Sequence, residues 1–431
     1  MTGSDETVGA TVHEFATRFG EQSFEEAVEL LTEAGREQVV AAFPDEFQQG
    51  PLDPTEALSE YWWGLYGQHG EFEGIGAVTV GDGVAEVELC FANGSETATV
   101  EFEGDEVTAF SFSPAYEVPE YVDREAFAEH DVIIDAGDID LGGILAVPEG
   151  DRSFPGVLLV HGHGLHDPDG TVGASKILKD VAWGLASEGI ATLRYEKRLF
   201  DHEVADENYT LDTVVTDDAV AALSRLAEAE EIDAGRVFIA GHSQGGMVAP
   251  RIADRFEDCA GVISLDGTPD SMVDPDGLAW LRYSMEMDGE LDEEQEAEFE
   301  EMRETFRRLE ADEYDDDETI LGKPGVWHRS HRDCDPLVTS SGLDSPVFVL
   351  TTSRADEKLQ PELAAFRRQK FEVWQDTDLP PGSRVEFYEH VGHYFQHGPT
   401  PVAPSTLYFG GNVAGYVVAD LVEWIHGVCD D

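Results

Sequence analysis

The middle of the chain alternates two patterns. Short runs that are apolar almost throughout, SFPGVLLV (153–160), IATLRYE (190–196), RVFIAGHS (236–243) and GVISLD (261–266), are separated by longer stretches with apolar positions every three or four residues. The long stretches, at 174–189, 212–229 and 245–256, predict helices, and the short runs predict strands. Strands without polar alternation are covered on both faces, so the pattern predicts a doubly wound, mostly parallel sheet of the α/β class. Upstream, 130–150 reads as two strands around a turn. Downstream, SPVFVLTTS (345–353) and RVEFYEHVGH (384–393) resume the strand pattern, and 412–427 predicts a last helix. Between 268 and 341 the alternation stops, and the charged stretch LDEEQEAEFEEMRETFRRLEADEYDDDET predicts a helical cap inserted into a core made of 131–267 and 342–431.

Residues 1–115 carry a different pattern. An amphipathic helical stretch runs from about Thr11 through SFEEAVELLTEAGREQVVAAF, and alternating strands follow at 74–91 and 96–114, punctuated by Gly81-Asp82 and Asn93-Gly94. Helices followed by antiparallel strands predict a small α+β domain shaped as an open cone. Its expected role is packing, including as a surface for a homodimer, and the proline-bearing segment 116–130 is expected to link it to the rest.

Charge changes the picture most. The 431 residues hold 91 Asp and Glu against 26 Lys and Arg, a net charge of −65. The acids are spread along a chain with 41% hydrophobic residues, so it folds and is not an acidic tail. Such a surface suits concentrated salt, where screening reaches only a few ångströms and self-repulsion fades. The expectation is a halophile's cytoplasmic protein. Binding to a nucleic-acid backbone is excluded by the sign of the charge. No apolar run is long enough to span a membrane, and the start MTGSDETVGA lacks the basic and apolar regions of a signal peptide. The scattered Cys90, Cys259, Cys334 and Cys429 offer no paired metal site.

The candidate chemistry centres on Gly241-His242-Ser243-Gln244-Gly245, a G-x-S-x-G between a predicted strand and a predicted helix. Small neighbours allow the serine a strained turn, and the helix start behind it presents free N–H groups. His242 is excluded as the base of Ser243, because adjacent residues on such a turn point apart, and reads as a packing residue. The base and its acid are expected later, in the order serine, acid, histidine, each after a strand. The loop after 345–353 offers Asp356 and Glu357, with Asp356 preferred. The loop after 384–393 offers His390 and His393, with His393 preferred because it follows Gly392. In HGHG (161–164), the N–H of His163 pairs naturally with that of Gln244 as an oxyanion hole. A competing reading makes His161, His163 and His166 with Asp167 a zinc site. The serine apparatus itself calls for no metal and no organic cofactor.

The stretches LLVHGHGLHD, KDVAWGLASEGIATLRYEKR, IDAGRVFIAGHSQGGMVAPRIA and FYEHVGHYF resemble bacterial and archaeal α/β-hydrolases of the serine esterase type, akin to bile-acid-CoA thioesterases and dienelactone hydrolases, that carry an extra N-terminal domain. The resemblance covers about 130–431. It implies a triad of Ser243, Asp356 and His393, backbone donors at His163 and Gln244, and a helical cap before the strand that bears the acid. The residues are read as hydrolysing a small acyl ester through an acyl-enzyme; a thioesterase, acyltransferase or peptidase would use the same triad, and a non-catalytic ligand-binding protein is the reading from another class. The loop SRADEK is one residue longer than the family's G-x-x-D pattern.

Overall fold

The computed structural model describes residues 3–48, 50–150, 153–256, 258–270, 275 and 278–430. By contacts within the chain it divides into two units, one of 1–117 with 172–175 and 398–411, the other of 118–171, 176–397 and 412–431.

In the first unit, helices α1 (Gly3–Gly20), α2 (Phe24–Glu29), α3 (Glu33–Ala42) and α4 (Pro54–His69) precede a four-stranded antiparallel sheet in the order β1 (Phe72–Val80), β2 (Val84–Phe91), β3 (Gly94–Glu103), β4 (Glu106–Phe112). Period-two burial puts Ala85, Val87, Leu89 and Phe91 of β2 inside. The expected cone is filled. Phe15 and Phe19 of α1, Tyr61 and Trp62 of α4, and Phe110 and Phe112 of β4 pack into one core, with the Phe15 and Phe110 rings 5.1 Å apart edge to face. The sequence pattern did not predict α4. Its signal lies in its start, where Asp53 and Glu56 form a reciprocal capping box and Pro54 sits at the first helical position. The segment 398–411, expected in the α/β core, belongs to this unit. Phe409 joins its aromatic core, and the Tyr66 hydroxyl donates to the Thr400 carbonyl at 2.9 Å.

The second unit is an eight-stranded sheet. Its strands are β5 (Phe127–Asp135), β6 (Asp140–Pro148), β7 (Phe154–Val160), β8 (Ala191–Tyr195), β9 (Ile232–His242), β10 (Gly261–Leu265), β11 (Val347–Thr352) and β12 (Arg384–Tyr388), in the spatial order β12-β11-β10-β9-β7-β8-β6-β5. From β8 to β12 all neighbours are parallel, while β6 pairs antiparallel with both β8 and β5. β5 begins inside the segment expected to be a linker. Strands β7 to β11 bury nearly all their side chains, because α5 (Ile177–Ser187), α6 (Asp217–Ala227), α7 (Gln244–Phe256) and later helices flank the sheet. Between β10 and β11 lie the cap helices α8 (Ala279–Met285), α9 (Glu293–Glu310), α10 (Gly325–Arg332) and α11 (Pro336–Gly342). Their own small core is Leu278, Phe299, Phe306, Leu309 and Ile320. Two further helices, α12 (Pro361–Gln375) and α13 (Gly415–Asp430), complete the unit. Among the described residues, no helix is long and apolar enough to cross a membrane.

Candidate active site

Ser243 stands at the sharp turn from β9 into α7 with φ of +54°, a left-handed conformation costly for a side-chain-bearing residue. The turn is held from both sides: the Ser243 N–H donates to the Leu265 carbonyl at 2.9 Å, and its carbonyl accepts from Met247 N–H at 3.0 Å. The flanking glycines are required by close backbone approach. A methyl group on Gly241 would strike the Gly245 carbonyl, and one on Gly245 would come within 2.5 Å of the Val160 carbonyl oxygen.

The acid facing His393 is Asp266, the residue that follows β10. Its Oδ2 lies 2.5 Å from His393 Nδ1, while its side chain is 2% exposed. The carboxylate that contacts His393 is thus Asp266, where the sequence reading expected Asp356. The Asp356 carboxylate accepts from the backbone N–H groups of Lys358 and Leu359, each at 2.9 Å, and so shapes the loop before α12. Its neighbour Glu357 is exposed. In chain order Asp266 lies between Ser243 and His393, before the inserted helices.

The reason is register. His242 pairs with Leu265, Leu265 with Leu350, and Thr352 with Tyr388, so residues 243, 266, 352 and 393 follow or end neighbouring strands at one edge of the sheet. Thr352 fills the β11 position. Its hydroxyl donates to Asp266 Oδ2 at 2.9 Å and its N–H to Oδ1 at 3.3 Å. The cations Arg367 and Lys370 of α12 approach the same carboxylate, each at 3.8 Å. Burial pushes the Asp266 carboxyl up, but Lys370, the His393 hydrogen bond and Arg367 outweigh it and hold the group far below the usual carboxylate range.

His393 is positioned by its backbone as well. The ring of His242, next to the serine, donates from Nε2 to the His393 carbonyl at 2.9 Å. Burial and the neighbouring His393 push His242 down to about 3, so it is a neutral hydrogen-bond donor. This positioning contact was missed by reading His242 as packing alone. His390 has φ of +61° on an exposed turn, its ring facing His397 rather than Asp266.

The loop 161–166 passes beside the serine turn, where a methyl group on Gly162 would lie 3.3 Å from Ser243 Cβ. His166 Nε2 donates to the His163 carbonyl at 2.8 Å, and Asp167 accepts from the N–H and hydroxyl of Thr171. These groups are engaged in loop structure. Among the described residues, no group of three or more His, Cys, Asp or Glu side chains converges as metal ligands.

An open, mostly parallel sheet with a strained serine between strand and helix defines a recognisable class, and the comparisons name it. The model of the alpha/beta hydrolase family matches residues 157–404, and the chain belongs to that family. Esterase EstD of Thermotoga maritima is 28% identical over 382 residues, covering 86% of this chain and 87% of that protein. Among solved structures, Est1E from Butyrivibrio proteoclasticus matches with a TM-score of 0.42 at 16% identity over 70% of this chain and 99% of that one. The hyperthermophilic esterase from Pyrobaculum calidifontis matches with a TM-score of 0.45 at 14% identity, over 70% and 84%.

Proposed function

We propose that the chain is a carboxylic ester hydrolase acting on small acyl esters through an acyl-enzyme at Ser243. The observation that carries this reading is the 2.5 Å Asp266–His393 hydrogen bond beside the strained turn of Ser243. His393 Nε2 takes the proton of the Ser243 hydroxyl as its oxygen attacks the acyl carbon, then returns it to the departing alcohol. Asp266 fixes the imidazole with Nδ1 protonated and stabilises the imidazolium that forms. Water, activated by the same ring, releases the acid and restores the serine. The N–H groups of His163 and Gln244 receive the tetrahedral oxyanion, each such donor contributing about 3 kcal/mol. The name of the Thermotoga relative supports ester over other acyl chemistry.

The net charge of −65 supports a working environment of concentrated salt inside a salt-accumulating cell. The test of the chemistry is Ser243→Ala, assayed on short nitrophenyl esters in molar KCl. Hydrolysis should fall to background, together with loss of labelling by a fluorophosphonate. Wild-type turnover in that variant would refute the mechanism.

A further inference from the structure

Lys197, which follows β8, is 3% exposed and among the described residues has no carboxylate partner, in a chain holding 91 acidic residues and only six lysines. Its ammonium donates to two neutral oxygens, the Gly162 carbonyl at 2.6 Å and Gln244 Oε1 at 3.2 Å. An unpaired buried charge is costly and demands a reason.

Both acceptors belong to residues that carry or adjoin the oxyanion donors. In a trans peptide the carbonyl and the following N–H point in opposite directions. Anchoring the Gly162 carbonyl on Lys197 therefore turns the His163 N–H away from the lysine, and Gly162 is the residue packed against Ser243. The second acceptor extends a chain of hydrogen bonds with only one consistent direction. Lysine can only donate, so Gln244 presents Oε1 to it and Nε2 to His331 Nε2, 2.7 Å away. His331, 2% exposed, then carries its proton on Nδ1, which donates to the Trp327 carbonyl within α10 of the cap at 3.0 Å. Burial pushes His331 down to about 3, in keeping with a neutral ring that accepts.

We propose that Lys197 is a positioning residue for acyl transfer: its ammonium orients and polarises the Gly162–His163 peptide and, through Gln244 and His331, ties the cap to the oxyanion hole. The proposal rests on the serine mechanism above. A positive charge behind the donor strengthens the N–H toward an oxyanion that exists only during the reaction, so the gain falls on kcat rather than on KM. Among the described residues, the titratable groups that interact electrostatically with the lysine are His161, His163 and His166 of the loop, His331 of α10, and Lys323 just before α10, and none of these is an acid. Burial and Lys323 push Lys197 down to about 7, so the supporting charge is present below that pH and lost above it.

The experiment measures kcat, KM and their pH profiles on a nitrophenyl ester for wild type, Lys197→Met, Lys197→Gln and Gln244→Met, with thermal melts and the extent of fluorophosphonate labelling at Ser243. Lys197→Met should lower kcat roughly tenfold to a hundredfold, less than loss of an oxyanion donor itself, with KM within about threefold. Lys197→Gln, which keeps a donor but no charge, should fall between and lose the alkaline decline of the wild-type profile. Gln244→Met retains its N–H and should lower kcat by a smaller factor, so it carries the test if the lysine variants do not fold. The proposal is overturned if folded Lys197 variants keep kcat within twofold or retain the wild-type alkaline limb, or if Gln244→Met, as the only folded variant, leaves kcat unchanged. Should Ser243→Ala remain active, the underlying mechanism fails instead, which separates the two results.

Discussion

At the scale of single residues, the site depends on which carboxylate meets His393. Asp266 Oδ2 occupies Nδ1 at 2.5 Å, while Asp356 is engaged by the backbone of its own loop. Asp266→Asn should therefore lower kcat by about four orders of magnitude, by analogy with loss of the orienting acid in serine hydrolases. Asp356→Asn should retain kcat within a few fold. Steady-state rates of the two variants on one ester decide it, and the reverse ranking would restore the assignment made from sequence. Asp266 was legible in principle, since an Asp ends the run GVISLD and Gly267 follows. It was passed over for the acidic loop after β11, which also follows a strand and precedes the histidine. Lys197 had no sequence signal at all, since a lysine becomes informative only when it is seen buried without an acid.

At the scale of elements, the turn from β9 to α7 is over-determined by backbone packing. Gly245→Ala places a methyl group 2.5 Å from the Val160 carbonyl oxygen, which the neighbouring strand β7 cannot yield without breaking its ladder. The expected cost is about 2–3 kcal/mol, with a matching fall in activity as the serine shifts, read from chemical denaturation in high salt. The sheet's strands and most of its flanking helices followed from periodicity, because burial on both faces leaves an unmistakable apolar run. Missed were α4 and α12, whose sequences YWWGLY and FRRQKFEVWQ break a simple helical stripe. The boundary of the first unit was also misplaced. Phe409 completes its core from almost 300 residues away in sequence, and no local pattern encodes a partner at that distance.

At the scale of the whole molecule, charge and buried imidazoles act in separate ranges. With a net charge of −65, the melting temperature should rise steeply from dilute buffer to multimolar KCl; a maximum at low salt would remove the proposed salt adaptation. In high salt, where repulsion is screened, pH tests the interior. His161, His242 and His331 are each at most 3% exposed, and burial lowers all three, His242 and His331 to about 3. Unfolded, these rings bind protons near pH 6.5; folded, they do not. Below about 6.5 the unfolded state therefore binds more protons, and stability falls as pH drops, by up to about 1.4 kcal/mol per pH unit for each ring. The slope between pH 6.5 and 5, above the carboxylate range, measures by denaturant titration the sum of these rings and of His69, His163, His166 and His328, which burial also lowers. A flat profile there would mean the rings are charged in the folded state.

Sequence alone determined the class of fold, a helical insertion between two of its strands, the turn between strand and helix that carries Ser243, and the place of His393 after the last strand. Each is a local matter of periodicity, of glycine spacing, or of a residue's place after a strand. Tertiary structure decided the rest: that Asp266, after the strand beside the one that leads to Ser243, meets His393, that His242 holds the His393 carbonyl, and that the buried Lys197 binds the Gly162 carbonyl. Those facts depend on strand register and on which side chains lose their water together, and neither is written in the order of residues along the chain.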